Sequence, residues 1–133
     1  MSEEHNSIID LVRNEKENLP RNEKAWQKKY SEWKKRDWLE WLNTNLLFPF
    51  TAQRYVDEDS WDIPDTVSDD LFKLGHLLEV LSLEDEIDMY GIIVKVREKR
   101  ETAILPLCDL EVVSEKDRNY WPVREYLEWF SNR

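Results

Sequence analysis

The sequence predicts an α+β fold, with helices at both ends and a small antiparallel sheet between them. Three observations carry that prediction. Apolar residues recur at helical spacing near both ends, as Trp26, Tyr30 and Trp33 and again as Val123, Tyr126, Leu127 and Phe130. Between residues 48 and 113 the texture changes to short β-branched and aromatic runs separated by polar turns. At 133 residues, with 41% apolar content and seven Trp, the chain can bury one core but not two.

Taken in order, Ser7-Ile8-Ile9-Asp10 has the form of a capping box, and Ile8, Leu11 and Val12 share a face. A first helix is expected there, fading by Asn18 before Leu19-Pro20. A second helix is expected from near Asn22, with its aromatic stripe on one side and Lys24, Lys28, Lys35 and Arg36 roughly opposite. Asp37 falls where the next aromatic should stand. With Trp38-Leu39-Glu40 it makes another capping box, which predicts a kink or a fresh helix from 38 to about 46.

Leu47-Phe48-Pro49-Phe50 cannot continue a helix, because Pro49 restricts Phe48 and lacks a donor. Thr51 to Val56 reads as the first strand, followed by a polar loop from Asp57 to about Asp70. Gly75 turns the chain into a second strand, His76 to Leu83. Tyr90 to Arg97 is the clearest strand, with Ile92, Val94 and Val96 on one face and Ile93, Lys95 and Arg97 on the other. Glu98 to Glu101 is a polar hairpin turn. Thr102 to Leu107 returns as a fourth strand, whose Pro106 implies an edge or a bulge. Glu111 to Val113 is a short fifth strand. The terminal helix takes Asn119 as its N-cap and tolerates Pro122 in its first turn. Five short, mostly hairpin-linked strands indicate a small SH3-like five-stranded antiparallel β-barrel flanked by N-terminal helices and a C-terminal helix. Domain organisation follows as a helical extension over residues 1–37 and an acidic domain over residues 38–133.

Charge narrows the function. The net charge is −10, yet residues 1–47 hold nine acids and nine Lys/Arg, leaving twenty acids against ten bases in the remainder. An acidic body of this kind repels nucleic acid and anionic membrane, and attracts cations or a basic protein partner. Lys28, Lys29, Lys34, Lys35 and Arg36 are dense enough to suggest nucleic-acid contact. However, Glu23, Glu32 and Asp37 offset them and the aromatics segregate as a packing stripe, so a solvated face is the reading preferred. No apolar run of ~18 residues is present, and the first residues lack a signal-peptide pattern. The single cysteine, Cys108, fits a reducing cytoplasm.

Catalysis is hard to build from the inventory. The histidines are His5 and His76 alone, Cys108 has no histidine nearby in sequence, and Gly75 and Gly91 cannot make a phosphate cradle. Zinc would want more Cys and His than the chain has. The chain therefore reads as no enzyme; a carboxylate-based metal-dependent hydrolase is a weaker option.

Carboxylates are in surplus. Glu84, Asp85, Glu86 and Asp88 occupy four of five consecutive positions, in what reads as a short connection between the second and third strands. Such a cluster is unfavourable unless it is solvated or meets a cation. Hard cations such as Ca²⁺ take about six to eight oxygen ligands from carboxylates, carbonyls and water. Asp57-Glu58-Asp59, Asp62, Asp109 and Glu111 offer further oxygens. No EF-hand is formed: starting from Asp57, Trp61 replaces the third acid, Asp62 the turn glycine and Ser68 the closing glutamate.

Three motifs in order resemble a known family. They are Trp41-Leu42 with Leu47-Phe48-Pro49-Phe50-Thr51-Ala52, then Asp85-Glu86-Ile87-Asp88-Met89-Tyr90-Gly91-Ile92-Ile93-Val94-Lys95-Val96, then Leu105-Pro106-Leu107-Cys108-Asp109-Leu110-Glu111. Together with Glu125-Tyr126-Leu127-Glu128-Trp129 near the end, they resemble the CcbP-like calcium-binding proteins of cyanobacterial type over about residues 38–130. The resemblance implies a small, acidic, cytoplasmic protein that binds Ca²⁺ without EF-hands, through surface carboxylates. The matched acids, and hence the expected metal ligands, are Asp85, Glu86 and Asp88 with Asp109 and Glu111. The expected function is non-catalytic calcium binding as a buffer or sensor. The alternative is an SH3-like protein-interaction module whose acidic face meets a basic partner without metal.

Overall fold

The computed structural model describes residues 22–56 and 70–133. The helix expected near Ser7 and the acids of the Asp57 loop lie outside the described residues. The first described helix, α1, spans Glu23–Lys35, and the Asn22 side chain accepts from the Ala25 N–H as its N-cap. The expected break at Asp37 is present. Arg36 is extended, the Asp37 carboxylate accepts from the Glu40 N–H, and α2 runs over Trp38–Asn45. After a cis Phe48–Pro49 peptide come β1 (Phe50–Arg54), β2 (Leu77–Ile87), β3 (Gly91–Glu98), β4 (Glu101–Pro106), a 3₁₀ turn (Leu107–Asp109) and β5 (Leu110–Glu111). Helix α3, Tyr120–Asn132, is the last element.

The five strands form one antiparallel sheet in the order β4-β3-β2-β1-β5. Its ladder is open, with β4 and β5 at its two edges, where a closed barrel was expected. The 3₁₀ turn carries the chain from one edge to the other, and the two-residue β5 pairs only with β1, through Gln53–Glu111 and Arg54–Leu110. Pro106 ends edge strand β4, where its missing donor breaks no ladder.

Ile92, Val94 and Val96 are fully buried on one face; on the other, Lys95 and Arg97 face solvent, but Ile93 is buried as well, so the alternation in burial holds only from Val94 onward. The core continues through Trp33, Trp38, Leu42, Phe72, Leu78, Val80, Leu105, Leu107 and Tyr126. Trp38 stacks on Trp129 with ring centres 5.3 Å apart and meets Tyr126 edge-on at 5.5 Å, so α2 and α3 share an aromatic seam. Helix α1 joins the same core through Trp33, whose indole donates to the buried Glu125 carboxylate at 2.7 Å. Arg36 reaches the same oxygen at 2.9 Å, and Lys29 lies 3.6 Å away. The C-terminal stripe of Val123, Tyr126, Leu127 and Phe130 packs as expected, but Glu125 beside it is buried too.

Two local expectations are corrected. Asn119 makes no side-chain cap for α3. Its amide instead accepts from the Leu47 N–H (2.8 Å) and donates to the Leu47 carbonyl (3.3 Å), tying the α2–β1 connection to the start of α3. Strand β2 runs four residues past Leu83, so Glu84, Asp85 and Glu86 are strand residues and only Asp88 of the cluster lies in the turn. The apolar β3 pairs with the run on either side of Glu84, which is left unpaired at a register shift, through Leu83–Val94, Asp85–Ile93, Glu86–Ile92 and Ile87–Gly91. That ladder overrides the low strand propensity of the acids, whose side chains remain exposed. No helix among the described residues is long and apolar enough to cross a membrane.

Candidate functional site

Strand pairing sorts the acidic run by face. Residues directly opposite one another in an antiparallel pair share a face, and the next pair along occupies the other. Asp85 pairs with Ile93, and Glu86 with the fully buried Ile92. Asp85 and Glu86 therefore stand on opposite faces of β2, with Glu86 on the side covered by α3. A register shift between Leu83 and Asp85 sets this phase, as bulges do when they re-aim side chains. At the bulge, the Ser82 hydroxyl donates to Glu84 at 2.5 Å. The Asp85 carboxylate accepts from the Glu86 N–H at 2.7 Å.

Glu86 opens onto a cleft of about 290 Å³ that it lines with Ile87, Asp88, Gly91, Trp129, Phe130 and Arg133. Although Glu86 is largely exposed, partial loss of hydration raises its carboxyl above its ordinary value. The Asp37 carboxylate adds to that shift, Arg133 opposes it, and Asp88 and Asp85 raise it further. The floor of the cleft is tight. The Ile92 N–H donates to the buried Tyr126 hydroxyl at 2.9 Å, and Gly91, at φ +70°, leaves no room for a Cβ against Tyr126 and Phe130.

The β2–β3 turn also supplies main-chain oxygens. The carbonyls of Asp88 and Met89 both accept from one nitrogen, Nη2 of Arg133, at 3.0 and 3.2 Å. The guanidinium lies 4.0 Å above the Phe130 ring centre, which holds it against the end of α3. Two hard oxygens thus already converge on a single cationic group beside the Glu86 and Asp88 carboxylates.

The other two expected ligands stand elsewhere, and neither lines this cleft. Asp109 ends the 3₁₀ turn and is buried, and its carbonyl accepts from the Tyr55 N–H at 3.0 Å. Glu111 pairs with Gln53 at the opposite sheet edge and lines a separate cleft with Tyr120 and Arg124. Both are felt at Tyr55, whose hydroxyl is raised first by burial, then by Glu111 and, more weakly, by Asp109. Among the described residues, no three His, Cys, Asp or Glu side chains come together closely enough to hold a metal ion by themselves. Cys108 is half-buried beside Asp109, and burial with that carboxylate pushes its thiol up to about 11.

Sequence reasoning missed three participants. Asp37 reads there only as a helix cap, Tyr126 only as part of an apolar stripe, and Arg133 carries no signal at all. The oxygens that the structure brings to this cleft are the Glu86 and Asp88 carboxylates and the Asp88 and Met89 carbonyls, the last two bonded to Arg133, with Asp37 felt only electrostatically.

Comparison with known proteins adds one match. The model of the family Calci_bind_CcbP, described as calcium binding, matches residues 27–130, from within α1 to near the end of α3. Among curated proteins and among solved structures, nothing matches the chain.

Proposed function

The chain belongs to the CcbP family of calcium-binding proteins, and on that premise we propose that it binds Ca²⁺ at the β2–β3 turn without catalysing a reaction. Ca²⁺ is the bound ion that the family assigns. The observation that carries the choice of place is the pair of carbonyls, Asp88 and Met89, converging on Arg133 Nη2 next to Glu86 and Asp88. Glu86 and Asp88 would hold the ion with those carbonyls, Asp85 would contribute from the rim, and water would fill the remaining positions of the shell. When bound, the ion supplies positive charge that relieves the repulsion between Glu86, Asp37 and their neighbours. Glu111 lines the other cleft, and Asp109 approaches the turn only through Cys108, whose Sγ lies 3.9 Å from the Asp109 carboxylate and 4.0 Å from the Tyr90 carbonyl, so neither is assigned a ligand role in this reading.

Because three acidic side chains do not converge on their own, affinity at this centre depends on the backbone carbonyls and on chain adjustment. That favours a low-to-moderate-affinity buffer or sensor over a tight structural site. Terbium titration tests the reading. Trp129 lines the cleft and should sensitise Tb³⁺ emission that Ca²⁺ then displaces. Glu86→Gln combined with Asp88→Asn should abolish the signal, whereas Glu111→Gln should leave it. An absence of sensitised emission and of calorimetric heat with Ca²⁺ in the wild-type chain would overturn the proposal.

A further inference from the structure

We propose that Arg133 is a tethered cation that occupies the calcium site of the apo protein and must leave it when Ca²⁺ binds, so that occupancy is read out as release of the last turn of α3. This inference rests on the calcium reading of the β2–β3 turn. It adds a residue that sets the affinity and a conformational output that the family description does not contain.

Three observations carry it. Arg133 Nη2 bonds both turn carbonyls, which are the main-chain oxygens a metal ion would need. The guanidinium lines the same cleft as the Glu86 and Asp88 carboxylates, so it is the nearest positive charge that the cleft itself contains. Though exposed, it is held in place 4.0 Å over the Phe130 ring and 5.9 Å from the Trp129 ring centre, at the end of a helix whose Tyr126 and Leu127 are buried. A divalent cation and a guanidinium cannot share the two carbonyls. A guanidinium and a divalent ion would then meet as like charges within a few ångströms of each other on the same two oxygens. Departure of Arg133 removes the cation from the faces of Phe130 and Trp129. These rings line a broader groove with Tyr30, Lys34 and Met89, so the change reaches the surface between α1 and α3.

Calcium titration of the wild-type chain, Arg133→Gln and Arg124→Gln tests this, each followed by calorimetry, Trp emission and amide hydrogen exchange. Arg124 lies on the same helix, 3.8 Å from Glu128 and lining the other cleft, so its loss changes net charge equally without touching the turn. Arg133→Gln should bind Ca²⁺ about tenfold more tightly than wild type, the loss of one charge-assisted competitor. Arg124→Gln should tighten binding far less. In the wild type, Ca²⁺ should speed amide exchange over residues 130–133 and shift Trp emission; in Arg133→Gln both changes should already be present without calcium. A merely structural role for Arg133 would weaken binding on substitution. If wild type binds and Arg133→Gln binds no tighter, or if Arg124→Gln matches it, the displacement is refuted while the site stands. If neither wild type nor Arg133→Gln binds, the site itself falls and the displacement with it.

Discussion

Gly91 is the point where the candidate site and the core meet, and its replacement by alanine separates two effects that are usually confounded. Gly91 sits at φ +70° and Gly75 at φ +87°, so alanine at either position takes on the backbone penalty of a left-handed residue, about 1 kcal/mol. At Gly75 nothing lies within 4 Å of an added methyl, and the penalty should end there. At Gly91 the methyl would collide with the Tyr126 hydroxyl and come within 2.5 Å of Phe130 Cε1. Both rings are fixed, Tyr126 by full burial and by its bond to the Ile92 N–H, and Phe130 by stacking on Tyr126 at 5.7 Å. Overpacking of that kind adds about 1–3 kcal/mol. Gly91→Ala should therefore cost about 2–4 kcal/mol against about 1 kcal/mol for Gly75→Ala, a large share of a typical net stability of about 5–15 kcal/mol. Urea unfolding followed by Trp emission, with the slope checked for constancy, measures both. Equal losses at the two glycines would show that α3 does not press on the β2–β3 turn, and the cleft as described would not exist.

Three further outcomes are expected. Tyr126→Phe leaves the buried Ile92 N–H without its acceptor and should cost about 1–3 kcal/mol in the same unfolding assay; a neutral result would mean that water or another group reaches that N–H. Glu125→Gln removes the charge shared by Trp33, Arg36 and Lys29 while keeping its shape, and should cost about 2–3 kcal/mol; Trp33→Phe, which loses more packing but leaves the ion pairs, should still allow Arg36 to hold α1 against α3 by hydrogen exchange. The Cys108 thiol, pushed up to about 11 from an ordinary 9.0, carries ~100-fold less thiolate at pH 8 than an unfolded chain. Iodoacetamide should accordingly label native Cys108 about that much more slowly, and stability should fall as pH rises from 9.0 towards about 11, because only the unfolded chain loses its proton there. Equal labelling rates in native and urea-unfolded protein would refute the burial.

What was legible in the sequence was local. Asn22 and Asp37 announce their helices because a capping side chain bonds within three residues of itself, and both bonds form. The faces of β3 were legible because alternation needs no partner to be read. The course of β2 was not. Glu84, Asp85 and Glu86 have poor strand propensity, and what keeps them extended is an apolar strand opposite, whose register is set by two bulges that no short pattern announces. Asn119 misled for the reverse reason: a good local cap was taken by a distant partner at Leu47, 72 positions away. The candidate site shows the same division. Glu86 and Asp88 were visible as a cluster, whereas Asp37 and Arg133 reach them only through the packing of α2 and α3 over the sheet.

That division bears on why an acidic strand is tolerated at all. Consecutive carboxylates on one exposed face would repel and fray the end of β2. Pairing instead places Asp85 and Glu86 on opposite faces, so the repulsion within the strand is already reduced by geometry. The positive charge in the cleft comes from Arg133, the C-cap of α3, a helix anchored independently by Tyr126, Leu127 and the Trp38–Trp129 stack. At the proposed calcium centre, a cation supplied this way would neutralise the turn without closing it, because Arg133 and the last turn of α3 can move while the β2–β3 ladder stays in place. Had the neutralising charge come from β3 or from the turn itself, displacing it would have broken ladder bonds, and the centre would be either permanently filled or unfolded when empty. Placement on a helix end makes exchange local, and that is the physical condition for a calcium centre that can be loaded and unloaded while the sheet stays intact.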